Sequence, residues 1–326
     1  MKFVARLRTA VIAAALCLVG VAAADSPQPA RVALFVLHEG QCGVPQLRDG
    51  LRELGYRDGQ NINIQCHQAN GRFEDRLAVA QAMVHTKPHI IVARGHYMVE
   101  PAMQAIHDIP IVGIASGDPV SVGWAKSLAQ PGGNFTGISY FVWELYAKRL
   151  EYLKALIPDL KRVGLLTQTV MSKSLTEMYL RTIREAAQTL GISVMQYDAS
   201  DQAGIERAFE SMARDKMQAA MVLGYVLYSE EGPMVAGLAT MYGLPVMHFL
   251  HGYPSMGGLI GFGPDYPTLQ RRLAIHVDKV LRGAKPANIP IEQPRDFRLT
   301  INLGVARELG LKVPESILNR ADTVIE

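Results

Sequence analysis

From residue 31 onward the chain alternates short apolar runs with segments of helical period. Residues 31–37 and 89–93 are nearly continuous hydrophobe, as expected for strands covered on both faces of a sheet. With them go an amphipathic segment at 44–54 closed by Gly55, a strand at 61–66, a helix at about 73–85 and a strand at 109–114. This alternation predicts a parallel sheet with helices on both faces.

The same order then begins again. Residues 161–167 read as a strand, 174–190 as a helix closed by Gly191, 193–197 as a strand and 202–214 as a helix. Strands at 219–223 and 244–247 follow, with a helix around 233–242 between them. LRELG at 51–55 and AQTLG at 187–191 each close a helix before a strand. Two similar doubly wound α/β lobes are the economical reading. After Gly257 the order loosens into a strand at 259–263, a helix at about 266–281, a proline-rich stretch at 285–294 and a strand-helix pair at 297–309. A chain that has completed its second lobe and still continues is expected to cross back between the lobes, and such crossings make a hinge.

The N-terminus changes the picture of where this protein works. Lys2, Arg6 and Arg8 precede an apolar run at 10–21 that ends in Ala22, Ala23 and Ala24 before Asp25, the pattern of a secretory signal peptide with cleavage expected after Ala24. The run is about 12 residues long, short of the roughly 20 that a helix needs to span a bilayer. Leu16, rather than a small residue, stands before Cys17, which favours a soluble mature protein over a lipid-anchored one. About 300 residues remain, more than the usual single core of about 100–200, which again predicts two lobes. The net charge of +3 shrinks once the three basic leader residues leave, so neither nucleic acid nor an anionic membrane is called for as partner. Cys42 and Cys66 survive cleavage; in an oxidising compartment they form either a disulfide or two separate thiols. There is no Cys-x-x-Cys pair and no His-Glu-x-x-His helix, and neither a metal nor a cofactor is expected.

Four stretches resemble a known family. They are LRELGYRDGQNINIQ at 51–65, ASGDPVSVGWAKSLAQPGGNFTGIS at 115–139, KRLEYLKALIPDLKRVGLL at 148–166, and the C-terminal run that begins VDKVLRGAKPANIPIEQPRDFRLTINLG at 277–304. They are similar to the ABC-transporter substrate-binding proteins of the group that includes tryptophan- and phenylalanine-binding members. The resemblance implies a type I periplasmic-binding-protein fold: two Rossmann-like lobes joined by a three-segment hinge, with a small ligand clamped between them. Residues 25–140 with about 264–290 are then expected in one lobe, and 141–263 with about 291–326 in the other. It also implies a monomer that passes its solute to an ABC permease in the inner membrane.

In open parallel sheets, ligands bind beyond the carboxyl ends of the strands, where helix N-termini present unpaired N–H groups. In the first lobe this rule selects His38 and Glu39, then Arg94, Gly95 and His96, then Ser116, Gly117 and Asp118. In the second it selects Thr167 and Gln168, Tyr225 and Tyr228, and His248, Phe249 and His251. Asp118 either receives a ligand ammonium or, standing before Pro119, caps a turn. Arg94 departs from the small Gly/Thr-rich loop that the family carries there. It either grips a ligand carboxylate with a forked pair of bonds or pairs with Glu39 or Asp118 to hold the lobe. Tyr225, Tyr228 and Phe249 offer an apolar wall or ordinary core, and the two histidines around Phe249 are either loop hydrogen bonders or ligand contacts.

An enzyme on this scaffold would need a nucleophile with an orienting base, a phosphate loop or a dinucleotide glycine pattern. After the first strand stands HEGQCG at 38–43, which is none of these. A subunit that reports ligand occupancy to a membrane receptor would have the same fold and cleft, and the residues do not separate it from an importer component.

Overall fold

Two sheets carry the chain. The computed structural model describes residues 28–37, 39–69, 73–140, 142–167, 173–223 and 231–326. The expected leader peptide lies outside them. The first sheet contains β1 (Ala30–Val36), β2 (Ile62–Gln68), β3 (Ile90–Arg94), β4 (Ile111–Ala115) and β5 (Phe135–Ser139) in the order β2-β1-β3-β4-β5, all parallel. Around it stand α1 (Pro45–Glu53), α2 (Phe73–Met83) and α3 (His96–Ala105). The inner strands β3 and β4 are buried almost throughout, as is β5 at one edge, whereas β2 at the other edge alternates, as burial on one face requires.

The chain then passes through Tyr140 into α4 (Val142–Leu156) and the second sheet. This sheet contains β6 (Arg162–Thr167), β7 (Ser193–Asp198), β8 (Ala219–Val222), β9 (Val246–His248), β10 (Ile260–Pro264), β11 (Phe297–Asn302) and β12 (Thr323–Ile325). Their order is β12-β11-β10-β9-β8-β6-β7, parallel except where β10 meets β11. Helices α5 (Lys173–Thr189), α6 (Gln202–Arg214) and α7 (Gly232–Met241) connect its first four strands. Asp201 caps α6 by accepting from the Gly204 amide at 2.5 Å, which satisfies a first-turn donor that the helix itself cannot pair.

Helix α8 (Tyr266–Leu281) leaves β10 of the second sheet but packs on α1 and on β3, β4 and β5 of the first. Asp265 caps it through the Thr268 amide at 3.2 Å, with Pro267 in its first turn. The chain returns to β11 along residues 282–296, stitched to β5 on the way. The Ser139 amide donates to the Glu292 carbonyl, the Glu292 amide to the Gly137 carbonyl, both at 2.8 Å, and the Thr136 hydroxyl to the Ile289 carbonyl at 2.8 Å. Helices α9 (Leu303–Glu308) and α10 (Glu315–Leu318) complete the second lobe. The fold is two doubly wound α/β lobes joined by these three passages, the type I periplasmic-binding-protein arrangement.

The elements that the sequence pattern does not reveal have physical reasons for their silence. Residues 96–102 of α3 are all buried, so the helix has no polar face to give it a period, and it contains Pro101. Strand β5 is a five-residue run that adds a fifth strand to a sheet expected to have four. The antiparallel β10–β11 pair departs from an all-parallel expectation because the chain enters β11 from the other lobe.

Gly137 on β5 has φ +139, and a Cβ there would lie 2.0 Å from the carbonyl oxygen of Gly113, its partner on β4. Gly137→Ala is therefore expected to cost about 2–4 kcal/mol, from backbone strain and overpacking together. Gly59, with φ +79 and open space around its missing Cβ, is the control; its Ala variant is expected to lose only about 1 kcal/mol. Urea unfolding of both variants measures the difference, and equal losses would remove the close-approach explanation.

Candidate functional site

The carboxyl ends of β1, β3 and β9 open onto a cavity of about 480 Å³ between the lobes, within the range of about 300–1,000 Å³ of small-molecule sites. The first lobe contributes Gly40, Gln41 and Gln46 around the start of α1, Arg94, Gly95 and Tyr97 at the β3–α3 junction, and Ile114. The second contributes Phe249, Leu250, His251, Gly252 and Met256, and the passage into α8 contributes Pro264, Tyr266, Pro267 and Gln270. The cavity is walled by both lobes and by the passage between them.

Arg94 is the charged side chain among the described lining residues, and none of those residues is a carboxylate. Its Nη1 donates to the Gln41 carbonyl at 2.9 Å, and the Gln41 side-chain oxygen accepts from the Leu37 amide at 3.1 Å. The turn that holds Gln41 is tied to β2 by a Cys42–Cys66 disulfide with Cα atoms 5.7 Å apart. Gly95 has φ +92, and a Cβ on it would meet the Tyr97 ring at 2.4 Å, so this bend into α3 needs glycine. Burial pulls the His251 pKa below its ordinary value, opposed by Asp265, so the imidazole is neutral at neutral pH. The positive charge in the cavity is thus that of the guanidinium.

A second interlobe contact lies beside the cavity. Tyr179, on α5 of the second lobe, is buried with its hydroxyl 3.4 Å from the Ser116 hydroxyl at the end of β4 in the first. Its ring stands edge-on to His96 at 6.1 Å, and a Cβ on Gly117 would lie 2.8 Å from its oxygen. Burial raises its pKa well above the ordinary value, so the phenol stays protonated. His96 is fully buried, accepts from the Gly117 amide through Nδ1 at 3.3 Å, and packs on Trp124 at 4.6 Å.

The remaining sequence-selected residues take other places. Asp118 accepts from the Val120 amide at 2.9 Å and so caps the turn after β4. Thr167 is buried in the second lobe, where it donates to the Tyr197 carbonyl at 3.2 Å and accepts from Gln196 at 3.0 Å. Glu39 is exposed on its turn. His248 is buried between the rings of Phe249 and Tyr253, at 4.7 and 4.6 Å, with Nδ1 accepting from the Leu250 amide at 3.0 Å. His38, Gln168, Tyr225 and Tyr228 lie outside the described residues. The cavity therefore unites Arg94, Gly95, Phe249 and His251, while His96 and Ser116 meet the opposite lobe through Tyr179.

Sequence reasoning missed Gln41, Tyr266, Gln270, Tyr179 and Arg149. Tyr266 follows the helix-capping Asp265, so the strand-end rule extended to the lobe crossing would have found it. Tyr179 carries no such signal, since it reaches the site only through the packing of two lobes. Arg149 is a fully buried cation on α4 that donates from Nε to the Phe262 carbonyl at 2.9 Å and sits 5.2 Å from the Tyr146 ring centre. Neither of its Nη groups meets a hydrogen-bond acceptor among the described residues. Beside it the Tyr140 and Tyr266 hydroxyls hydrogen-bond to each other, joining the first passage to the start of α8.

Strand ends from two parallel sheets converging on an interlobe cavity, with one guanidinium and an aromatic wall, define a two-lobed small-molecule binder. The particular family follows from comparison: the profile of the ABC transporter substrate binding proteins matches residues 31–325, and this chain belongs to that family. It is a solute-binding family, not an enzyme family. A tyrosine-binding protein of Clostridioides difficile is 28% identical over 262 residues, 80% of this chain and 74% of the relative. Among solved structures, the ABC domain in complex with L-Trp from Streptococcus pneumonia superposes with a TM-score of 0.77 at 25% identity, covering 91% of this chain and 100% of that one. The ligand-free, open structure of a substrate-binding protein with adhesive properties from Clostridium difficile gives 0.60 at the same identity, covering 91% and 99%. Among the described residues no helix is long and apolar enough to cross a membrane.

Burial pushes His96 and His248 each down to about 3, with Arg149 adding to the effect at His248. Both are neutral when folded, whereas in the unfolded chain each takes a proton near 6.5. Their stabilisation is full above that value and is lost as pH falls from about 6.5 toward 3, at about 1.4 kcal/mol per pH unit for each. Chemical denaturation between pH 6.5 and 5, above most carboxylate titration, is expected to give a slope that rises to at least two protons by pH 5, since burial also lowers His67, His251 and His276. His248→Phe should reduce it by about one proton.

Proposed function

We propose that this chain is the periplasmic solute-binding component of an ABC-type importer. It takes a small carboxylate-bearing, amino-acid-like ligand between its lobes, closes on it, and presents the closed face to a permease. The observation that carries the ligand class is Arg94, a guanidinium at the end of β3 on the cavity wall. A ligand carboxylate would receive charge-assisted bonds there, while Phe249 and Tyr266 offer flat apolar contact to a side chain. The tyrosine- and tryptophan-binding relatives fit this chemistry.

Closure is supported by two independent facts. At equal identity and nearly equal coverage the chain superposes better on a relative in complex with L-Trp than on an open, ligand-free one, 0.77 against 0.60, as a closed arrangement would. The buried Ser116–Tyr179 contact across the lobes belongs to a closed arrangement as well. A ligand shifts such an equilibrium only through contacts that are better in the closed state. Export through the leader at residues 1–24 would place this binding step in the periplasm, as a monomer in front of its permease.

A thermal-shift screen of the mature protein against amino acids, aromatic acids, small carboxylates, sugars and nucleosides tests the ligand class. A ligand at about 100 times its Kd adds about 2.7 kcal/mol of stability. Hits are expected among carboxylate-bearing compounds, L-tyrosine and L-tryptophan first; hits confined to sugars or nucleosides would reject the reading. Calorimetry with the ligand found should show Arg94→Ala weakening binding by about 10- to 100-fold, the worth of a charged hydrogen bond of about 1.5–3 kcal/mol. Tyr179→Ala is expected to weaken it too, through the closed state. If residues of the second lobe had no effect on affinity, a single lobe would be doing the binding.

A further inference from the structure

We propose that the Cys42–Cys66 disulfide is a positioning device for the binding site: it fixes the turn whose carbonyl holds Arg94 in the cleft. The inference rests on the reading of Arg94 as the group that meets the ligand's carboxylate. The turn Glu39–Cys42 is a single 3-10 turn with no buried residue, and its apolar contact with the core is that of the half-buried Cys42 itself. It nonetheless contributes Gly40 and Gln41 to the cavity wall. Gln41 connects it to the strand on one side, through the Leu37 amide, and to the guanidinium on the other, through its carbonyl at 2.9 Å from Arg94 Nη1.

The exit from this turn is strained. Val44, a β-branched residue, is buried in the left-handed region at φ 36 before α1 begins. Such a conformation persists only where the surroundings over-determine it. The covalent tie supplies that constraint at Cys42, two residues before Val44. Its other end is Cys66 on β2, which pairs in register with Leu34 on β1, so the tie runs to the rigid sheet and not to another loop. Releasing it frees the Gln41 carbonyl to move and loosens the hydrogen bond by which the turn holds the guanidinium.

The experiment is a double-mutant cycle. Binding of L-tyrosine, with L-tryptophan as second probe, is measured by calorimetry for the oxidised wild type, the Cys42→Ser/Cys66→Ser variant, Arg94→Ala, and the triple variant. Removing the disulfide is expected to weaken binding about tenfold in the wild type and by less than twofold in the Arg94→Ala background. A purely structural disulfide would lower the melting temperature of both equally and give the same affinity loss in both backgrounds, which would overturn the proposal. Hydrogen exchange at the Leu37 amide, which reports Gln41 placement without any ligand, is expected to be at least tenfold faster in wild type reduced by a phosphine, with β3 and β4 unchanged. Unchanged exchange at Leu37 would overturn the proposal even if the serine variant failed to fold. If neither amino acid bound the oxidised wild type, the amino-acid reading would fall, while the exchange measurement would still decide on the tie.

Discussion

Parallel strands all end at the same edge of their sheet, and here two such edges are made to face each other by three passages of chain. Every feature of the site descends from that constraint. β3 delivers Arg94 at its last residue, β9 is followed at once by Phe249, and β10 runs out through Pro264 into the Tyr266 turn. Strand ends also leave helix N-termini and turns where an extended backbone must bend, which is why Gly95 stands beside the guanidinium with a conformation that other residues avoid. Position in the sheet, more than any local motif, selects the residues that line the cavity.

Closing two lobes over a small cavity takes polar groups out of water, and the groups at this interface are suited to that. His96 and His248 are held neutral, each with Nδ1 turned to a backbone amide, and Tyr179 keeps its proton. The exceptions are two guanidiniums. Arg94 lies on the cavity wall, and Arg149 lies buried against the ring of Tyr146. One apolar cluster runs from Val32 and Leu34 in the first lobe to Leu165 and Ile183 in the second.

Much of this was legible in the residues. Strands buried on both faces announced themselves as unbroken apolar runs, and α6 and α8 through their helical period. Two lobes and a return of the chain followed from the repeat of that order and the residues left over. α3 was silent because burial on every side removed its period, and β5 because a five-residue strand behind a Gly-Gly loop resembles the loop. At the site, Arg94, Gly95, Phe249 and His251 were found by the strand-end rule. Gln41 and Tyr179 were not, since one depends on a turn folding back across a disulfide and the other on a helix of the opposite lobe. Those are contacts between parts of the chain that no local pattern relates.

The central claim is that ligand binding and lobe closure are one event. Small-angle X-ray scattering of the mature protein, ligand-free and saturated with a ligand whose binding has been established by calorimetry, tests it most directly. A smaller radius of gyration in the saturated sample is the result this account predicts. An unchanged radius, with the ligand demonstrably bound, would contradict it.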